Sequence, residues 1–178
     1  MGKIKKPKLV KLIVGMISTS EELFHMAQDR LKDRFGNIDF MSQILPFDTT
    51  DYYCEEMGTN LKRKFISFED LIDPEKLADI KIYTNEIEEK IAIDSRRKIN
   101  LDPGYISLSK LVLATTKDYQ HRIYLRDGIY AEVTLRFKSG RFQTWEWTYP
   151  DYKTEVYHEI FLHIRKLYVE QLKIKEVG

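Results

Sequence analysis

The sequence has a single cysteine, Cys54, among 178 residues. That excludes a disulfide scaffold. The neighbours Glu55 and Glu56 are the wrong surroundings for a nucleophilic thiolate. No apolar run approaches the about 18 residues that a membrane-spanning helix needs. There is no Asn-x-Ser/Thr sequon, no internal repeat, no low-complexity segment and no clear linker. No charge sign dominates: 29 Lys and Arg stand against 28 Asp and Glu, a net charge of +1, which excludes a globally basic nucleic-acid binder. The first residues lack the apolar stretch of a signal peptide, and Lys6 stands where N-myristoylation needs Ser or Thr. A cytoplasmic location is the expectation, with residues 1–8 as a flexible basic arm.

Familiar catalytic motifs are also missing. Gly15-Met16-Ile17-Ser18-Thr19-Ser20 follows a strand-like run but has neither the second glycine nor the lysine of a phosphate loop. No dinucleotide fingerprint occurs. His158 and His163 are five apart, so on a helix they diverge by about 140° and cannot share a zinc ion as H-E-x-x-H does. No metal site is expected, and no cofactor is indicated.

What is present is ample core material: 43% of residues are hydrophobic and 12% aromatic. This composition and length fit one globular domain over residues 1–178. Leu9–Ile17 reads as a buried strand. Ser18 with Glu21, or Thr19 with Glu22, offers a capping box for a helix ending at Gly36. A second strand is expected near Ile38–Leu45. Tyr52–Met57 and Leu61–Phe68 flank Gly58-Thr59-Asn60 and suggest a hairpin. Asp73-Pro74 starts a helix carrying Ile80, Tyr83, Ile87 and Ile91 on one face. Arg97–Leu101 reads as a short strand and Asp102-Pro103-Gly104 as a turn; Ser107–Thr116 fits helix or strand, with helix preferred because Leu108, Leu111, Val112 and Thr115 share a face.

The last third reads as a three-stranded meander, Tyr119–Leu125, Ile129–Phe137 and Phe142–Tyr149. A long helix from Thr154 follows, with the stripe Tyr157, Ile160, Phe161, Ile164, Leu167, Tyr168 and Leu172. Together these imply an α+β fold: a largely antiparallel sheet, an N-terminal strand–helix–strand and a C-terminal amphipathic helix. Pairing Phe137 with Arg141 across a Gly140 bulge gathers Ile129, Val133, Leu135, Trp145 and Trp147 on one face. Misplacing two tryptophans would cost several kcal/mol at about 25 cal/mol per Å2, so this register is expected. It sets Glu132 opposite Glu146, flanked by Arg122. That carboxylate pair and His121 are the candidate catalytic groups.

Three polar-aromatic segments stand out: residues 100–105 (NLDPGY), 117–124 (KDYQHRIY) and 147–152 (WTYPDY). They suit a ligand with an anionic part and a flat part. Lys117, His121 and Arg122 would meet the anion; Tyr105, Trp147 and Tyr149 would pack the flat part. Asp102, Tyr124 and Asp151 complete the candidate set. In the chosen register His121 and Arg122 point to opposite faces of the sheet. A small anionic or nucleotide-like ligand is the expected partner. A nucleic acid, stacked on Tyr and Trp, is the less favoured alternative, and a structural or partner-binding role is the third.

These segments, with Gly128–Leu135 (GIYAEVTL) and Lys110–Lys117, resemble a prokaryotic family of domains without assigned function, along nearly the whole chain. Some members of that family carry a GTP-binding label; the phosphate loop that would support it is missing here. The charge is not evenly spread. Residues 1–11 hold five lysines and no acid, residues 48–94 hold thirteen acids and six bases, and residues 95–178 hold fifteen bases and ten acids. The three segments lie in or beside that basic last part, which favours a local anion site there.

Overall fold

β1 (Val10–Ser18) is buried along all nine residues. A strand covered on both faces is apolar on both, and this one is, apart from Lys11 and the small residues. The Lys11 ammonium pairs with Asp39 and hydrogen-bonds Gln171 Oε1 at 2.8 Å. The computed structural model describes residues 2–177 and assembles one antiparallel sheet. Its other strands are β2 (Ile38–Met41), β3 (Leu45–Pro46), β4 (Lys62–Ile72), β5 (Ile99–Ile106), β6 (Lys110–Thr115), β7 (Ile123–Arg126), β8 (Ile129–Lys138) and β9 (Arg141–Thr144). The order is β2-β4-β1-β5-β6-β8-β7, with β3 also on β4 and β9 also on β8. The helices are α1 (Glu21–Phe35), the single-turn α2 (Cys54–Met57), α3 (Leu77–Ile91) and α4 (Glu155–Val177). None among the described residues is long and apolar enough to cross a membrane. Residues 2–9 carry no regular structure, and Met1 of the expected arm lies outside the described residues.

The period-two alternation of a strand sorts the core into layers. Leu12, Val14 and Met16 of β1 join Ile66, Phe68 and Leu101 under α1 and α3. Ile13 joins Phe65, Ile106, Leu111 and Leu135 under α4. Of the expected α4 stripe, Tyr157, Ile160, Phe161, Ile164 and Tyr168 are buried and Leu167 and Leu172 half-buried. Phe65 meets Tyr157 and Phe161 edge-on, at centroid distances of 4.8 and 5.0 Å.

Several local expectations are overturned. The hairpin across Gly58 does not form: residues 54–57 are α2, and β4 pairs with β1, β2 and β3 instead. Ser107–Thr116 contains strand β6 and no helix. Leu111, Val112, Leu113 and Ala114 are all buried, and in a short run covered on both faces periodicity cannot separate strand from helix. Neither capping box closes; the Ser18 hydroxyl accepts the Ser20 N–H at 3.1 Å and donates to the Lys98 carbonyl at 2.8 Å. The meander register is also different. Phe137 pairs with Phe142 across Ser139-Gly140, both at positive φ, a two-residue hairpin turn. β9 ends at Thr144, so the tryptophans leave the ladder rather than lying on its wrong face. The Thr148 hydroxyl donates to the Thr134 carbonyl at 2.7 Å and accepts the Trp145 N–H at 2.8 Å, which closes this turn on β8.

Asp102-Pro103-Gly104 is not a turn but the middle of β5. β5 pairs with β1 along its whole length, yet with β6 only over Gly104–Ile106. Beyond Leu113, β6 continues against β8 alone, and the sheet forks. On the open edge of β5 the Leu101 N–H donates to Glu88 Oε1 at 2.6 Å, and Lys81 Nζ donates to the Leu101 carbonyl at 2.8 Å. Two side chains of α3 therefore replace the missing strand. Groups two residues apart point to the same side of a strand, so Pro103, with no N–H to give, sits where no partner strand is present.

Candidate functional site

The fork opens a cavity of about 590 Å3. Its wall comes from the segment between β3 and β4, from α3, from the parted strands β5 and β6, and from residues 149–152. This size is that of a small-molecule pocket.

Arg63 of β4 lies at its base and is 3% exposed. Its room comes from Gly15, where a Cβ would lie 2.9 Å from Arg63 Nη1 and 3.0 Å from Phe65 Cε1. Nη1 donates to Asp102 at 2.8 Å and Nη2 to Asp151 at 2.9 Å. The guanidinium also lies over the rings of Phe47 and Phe65, at 5.0 and 5.3 Å. Asn100 Nδ2 donates to the other Asp102 oxygen at 2.9 Å. Burial works to raise the Asp102 carboxyl, but Arg63, Lys81 and these hydrogen bonds outweigh it and hold it below the usual carboxylate range. Glu88 goes the other way: burial pushes its carboxyl up, against the pull of Lys81 and the Leu101 N–H. Two buried polar atoms of the wall residues, Arg63 Nε and Tyr152 Oη, have no hydrogen-bond partner among the described residues. Burial holds the Tyr152 hydroxyl well above its ordinary value, so it remains a neutral donor.

Glu132 of β8 anchors the far wall at 2% exposed. It accepts Arg122 Nε at 2.9 Å, His121 Nε2 at 2.9 Å and the Thr134 hydroxyl at 3.2 Å. Arg122 also donates to the Lys117 carbonyl at 3.0 Å and the Tyr149 hydroxyl at 2.6 Å, tying the rim to the sheet. Behind Glu132 the His121 ring stacks on Trp147 at 5.3 Å, and Trp147 stacks on Trp145 at 5.1 Å.

Residues 8–168 match the sequence profile of a family described as a domain of unknown function, DUF4416. The chain belongs to this family. The matched span holds every wall residue of the cavity, so the fork and its wall lie within the DUF4416 domain itself. No curated protein and no solved structure matches the chain.

Within this DUF4416 domain the structure gathers only part of the expected set. Asp102, Lys117, Arg122, Glu132, Tyr149 and Asp151 line one cavity. His121 and Arg122 do not point to opposite faces; both reach Glu132, because β7 begins only at Ile123 and the two residues lie in a turn. Trp147 stands behind His121 and not in the wall. Tyr105 packs on the opposite sheet face beside Leu77 and Val112. Tyr124 lies exposed on β7 against Tyr130. Glu146 is exposed in the turn after β9, so the Glu132/Glu146 pair does not exist. His158 hydrogen-bonds the Tyr152 carbonyl at 2.9 Å, and His163 packs on Phe40.

Sequence reasoning missed Arg63, Lys81, Glu88 and Arg97. For Arg63 a signal existed: it alternates with Phe65 and Ser67, all buried along β4. Lys81 and Glu88 look like ordinary helix polarity until the gap in β5 is known.

Arg97 fastens the segment over the cavity. Glu56 accepts its Nε at 2.9 Å, its Nη2 at 2.7 Å and its backbone N–H at 3.0 Å. The hydrogen bond from Arg97 holds the Glu56 carboxyl below its ordinary value. A carboxyl lowered on folding stabilises above its unfolded pKa and loses that contribution as pH falls through its folded one. Glu56→Gln is therefore expected to cost about 1 kcal/mol at pH 7. The gap to wild type should narrow in urea melts below about pH 4.

Proposed function

We propose that the chain binds a small anionic or nucleotide-like molecule in the fork cavity. The observation that carries this reading is a 590 Å3 cavity in which polar and aromatic side chains from separate stretches of sequence meet, Lys117 and the exposed rings of Tyr52, Tyr119 and Tyr149 among them. The mouth supports a flat ligand. Tyr52, Tyr119 and Tyr149 are 57, 52 and 43% exposed, and such rings offer stacking surfaces. Lys117 stands among them, its ammonium 3.9 Å from the Tyr52 ring centroid, as the cation that would receive an anionic group.

Thermal melting tests this with nucleosides, nucleotides, sugar phosphates and aromatic carboxylates. At a concentration about a hundredfold above Kd, a true ligand raises the midpoint by about 5 °C or more. A midpoint unmoved by every compound contradicts the reading.

A further inference from the structure

Resting on the small-ligand reading of the fork cavity, the charge inventory of its wall narrows the ligand class. Five cationic side chains, Arg63, Lys81, Arg97, Lys117 and Arg122, face five acidic ones, Glu88, Glu89, Asp102, Glu132 and Asp151. Four of the cations are engaged within the protein. Arg63 bridges Asp102 and Asp151, and Arg122 holds Glu132. Arg97 holds Glu56 and lies 3.7 Å from Glu88. Lys81 donates to the Leu101 carbonyl and faces the charges of Glu88 and Asp102. Lys81 and Lys117 form no ion pair, and of the five only Lys117 has a side chain with neither an ion pair nor a hydrogen bond among the described residues. A nucleoside triphosphate would bring several negative charges against one available ammonium, beside carboxylates that low dielectric leaves poorly screened.

The hydrogen-bonding capacity left over in the wall is of another kind. The half-buried Asn85 side chain on α3 makes no hydrogen bond among the described residues and offers both a donor and an acceptor. With the tyrosine rings at the mouth, this matches a planar molecule with donors and acceptors on its edge and little charge.

We propose that the cavity selects a planar heterocycle of the nucleobase, nucleoside or nucleoside-monophosphate class, with at most one anionic group to meet Lys117, and excludes nucleoside polyphosphates.

Calorimetric titration of the full chain at fixed ionic strength tests this with adenine, adenosine, AMP and ATP and with the guanine and cytosine series. A free base or nucleoside is expected to bind at least about tenfold tighter than its triphosphate. Asn85→Leu removes the edge partner without breaking an internal hydrogen bond, and is expected to weaken that binding about tenfold while melting as wild type does. A triphosphate that binds as tightly as the monophosphate or tighter overturns the proposal, as does an unchanged affinity in Asn85→Leu. If no heterocycle binds, the proposal also fails. The small-ligand reading then stands only if another compound of the melting panel stabilises the wild type; if none does, both fail.

Discussion

Arg63→Ala should leave the protein about 3–5 kcal/mol less stable. The guanidinium is buried between Asp102 and Asp151, and its removal leaves two carboxylates facing one another with no cation between them. An uncompensated buried charge costs more than a lost contact. The drop corresponds to about 10 °C or more in melting temperature for a chain of this size. Arg63→Lys keeps the charge but cannot fork to two carboxylates at once, so it should fall between wild type and Arg63→Ala. Adding Asp102→Asn and Asp151→Asn to Arg63→Ala should recover part of the loss, because the unpaired charges go with the cation.

The pH dependence has a definite sign. In the wild type Asp102 is held below its ordinary pKa, so its contribution disappears as pH falls through the folded value. Without Arg63 the main remaining influence on Asp102 is burial, which raises its carboxyl, and protonation then relieves the variant. Urea midpoints of wild type and Arg63→Ala should therefore begin to converge above about pH 4, where the raised carboxyl of the variant protonates, and converge further below it as the wild type loses the Asp102 contribution.

Gly104→Ala should be nearly as damaging, by about 3 kcal/mol. The added Cβ would lie 2.3 Å from the Val112 carbonyl oxygen and 2.7 Å from Leu113 Cδ2. The carbonyl belongs to the backbone of β6 and cannot yield without parting the only three residue pairs that join β5 to β6. The two halves of the sheet are held at this point, so the fork itself is at stake. Gly128→Ala is the control. A Cβ added at Gly128 would meet nothing within 4 Å, and its cost comes only from the φ of +76°, about 1 kcal/mol. Equilibrium urea unfolding should separate the two variants by about 2 kcal/mol.

The long amphipathic helix α4, the buried strand β1 and the Asp73-Pro74 helix start were legible in the sequence, because each has a period or a terminal signal of its own. The chemistry of the fork was legible only in pieces. Asp102, Lys117, Arg122, Glu132, Tyr149 and Asp151 were recognisable as unusual polar and aromatic residues, and they do converge. Their convergence depends on Asp102-Pro103-Gly104 being a strand. Local turn composition points the other way, and tertiary pairing with β1 overrides it. The Glu132/Glu146 pairing failed for a related reason. It assumed that β9 runs on to Tyr149, whereas Thr148 closes a turn onto β8 after Thr144. Lys81 and Glu88 were out of reach, since their role is to satisfy a backbone edge that only the fork exposes.

Amide chemical-shift mapping by two-dimensional NMR, with the most stabilising compound of the panel, tests the fork cavity as the binding site most directly. The predicted shifts concentrate on residues 49–53, 100–102, 113–117 and 149–152, which belong to four separate stretches of sequence and meet only at the fork. Shifts concentrated instead on α1, β2 or the outer face of α4, with these four stretches unmoved, would contradict it.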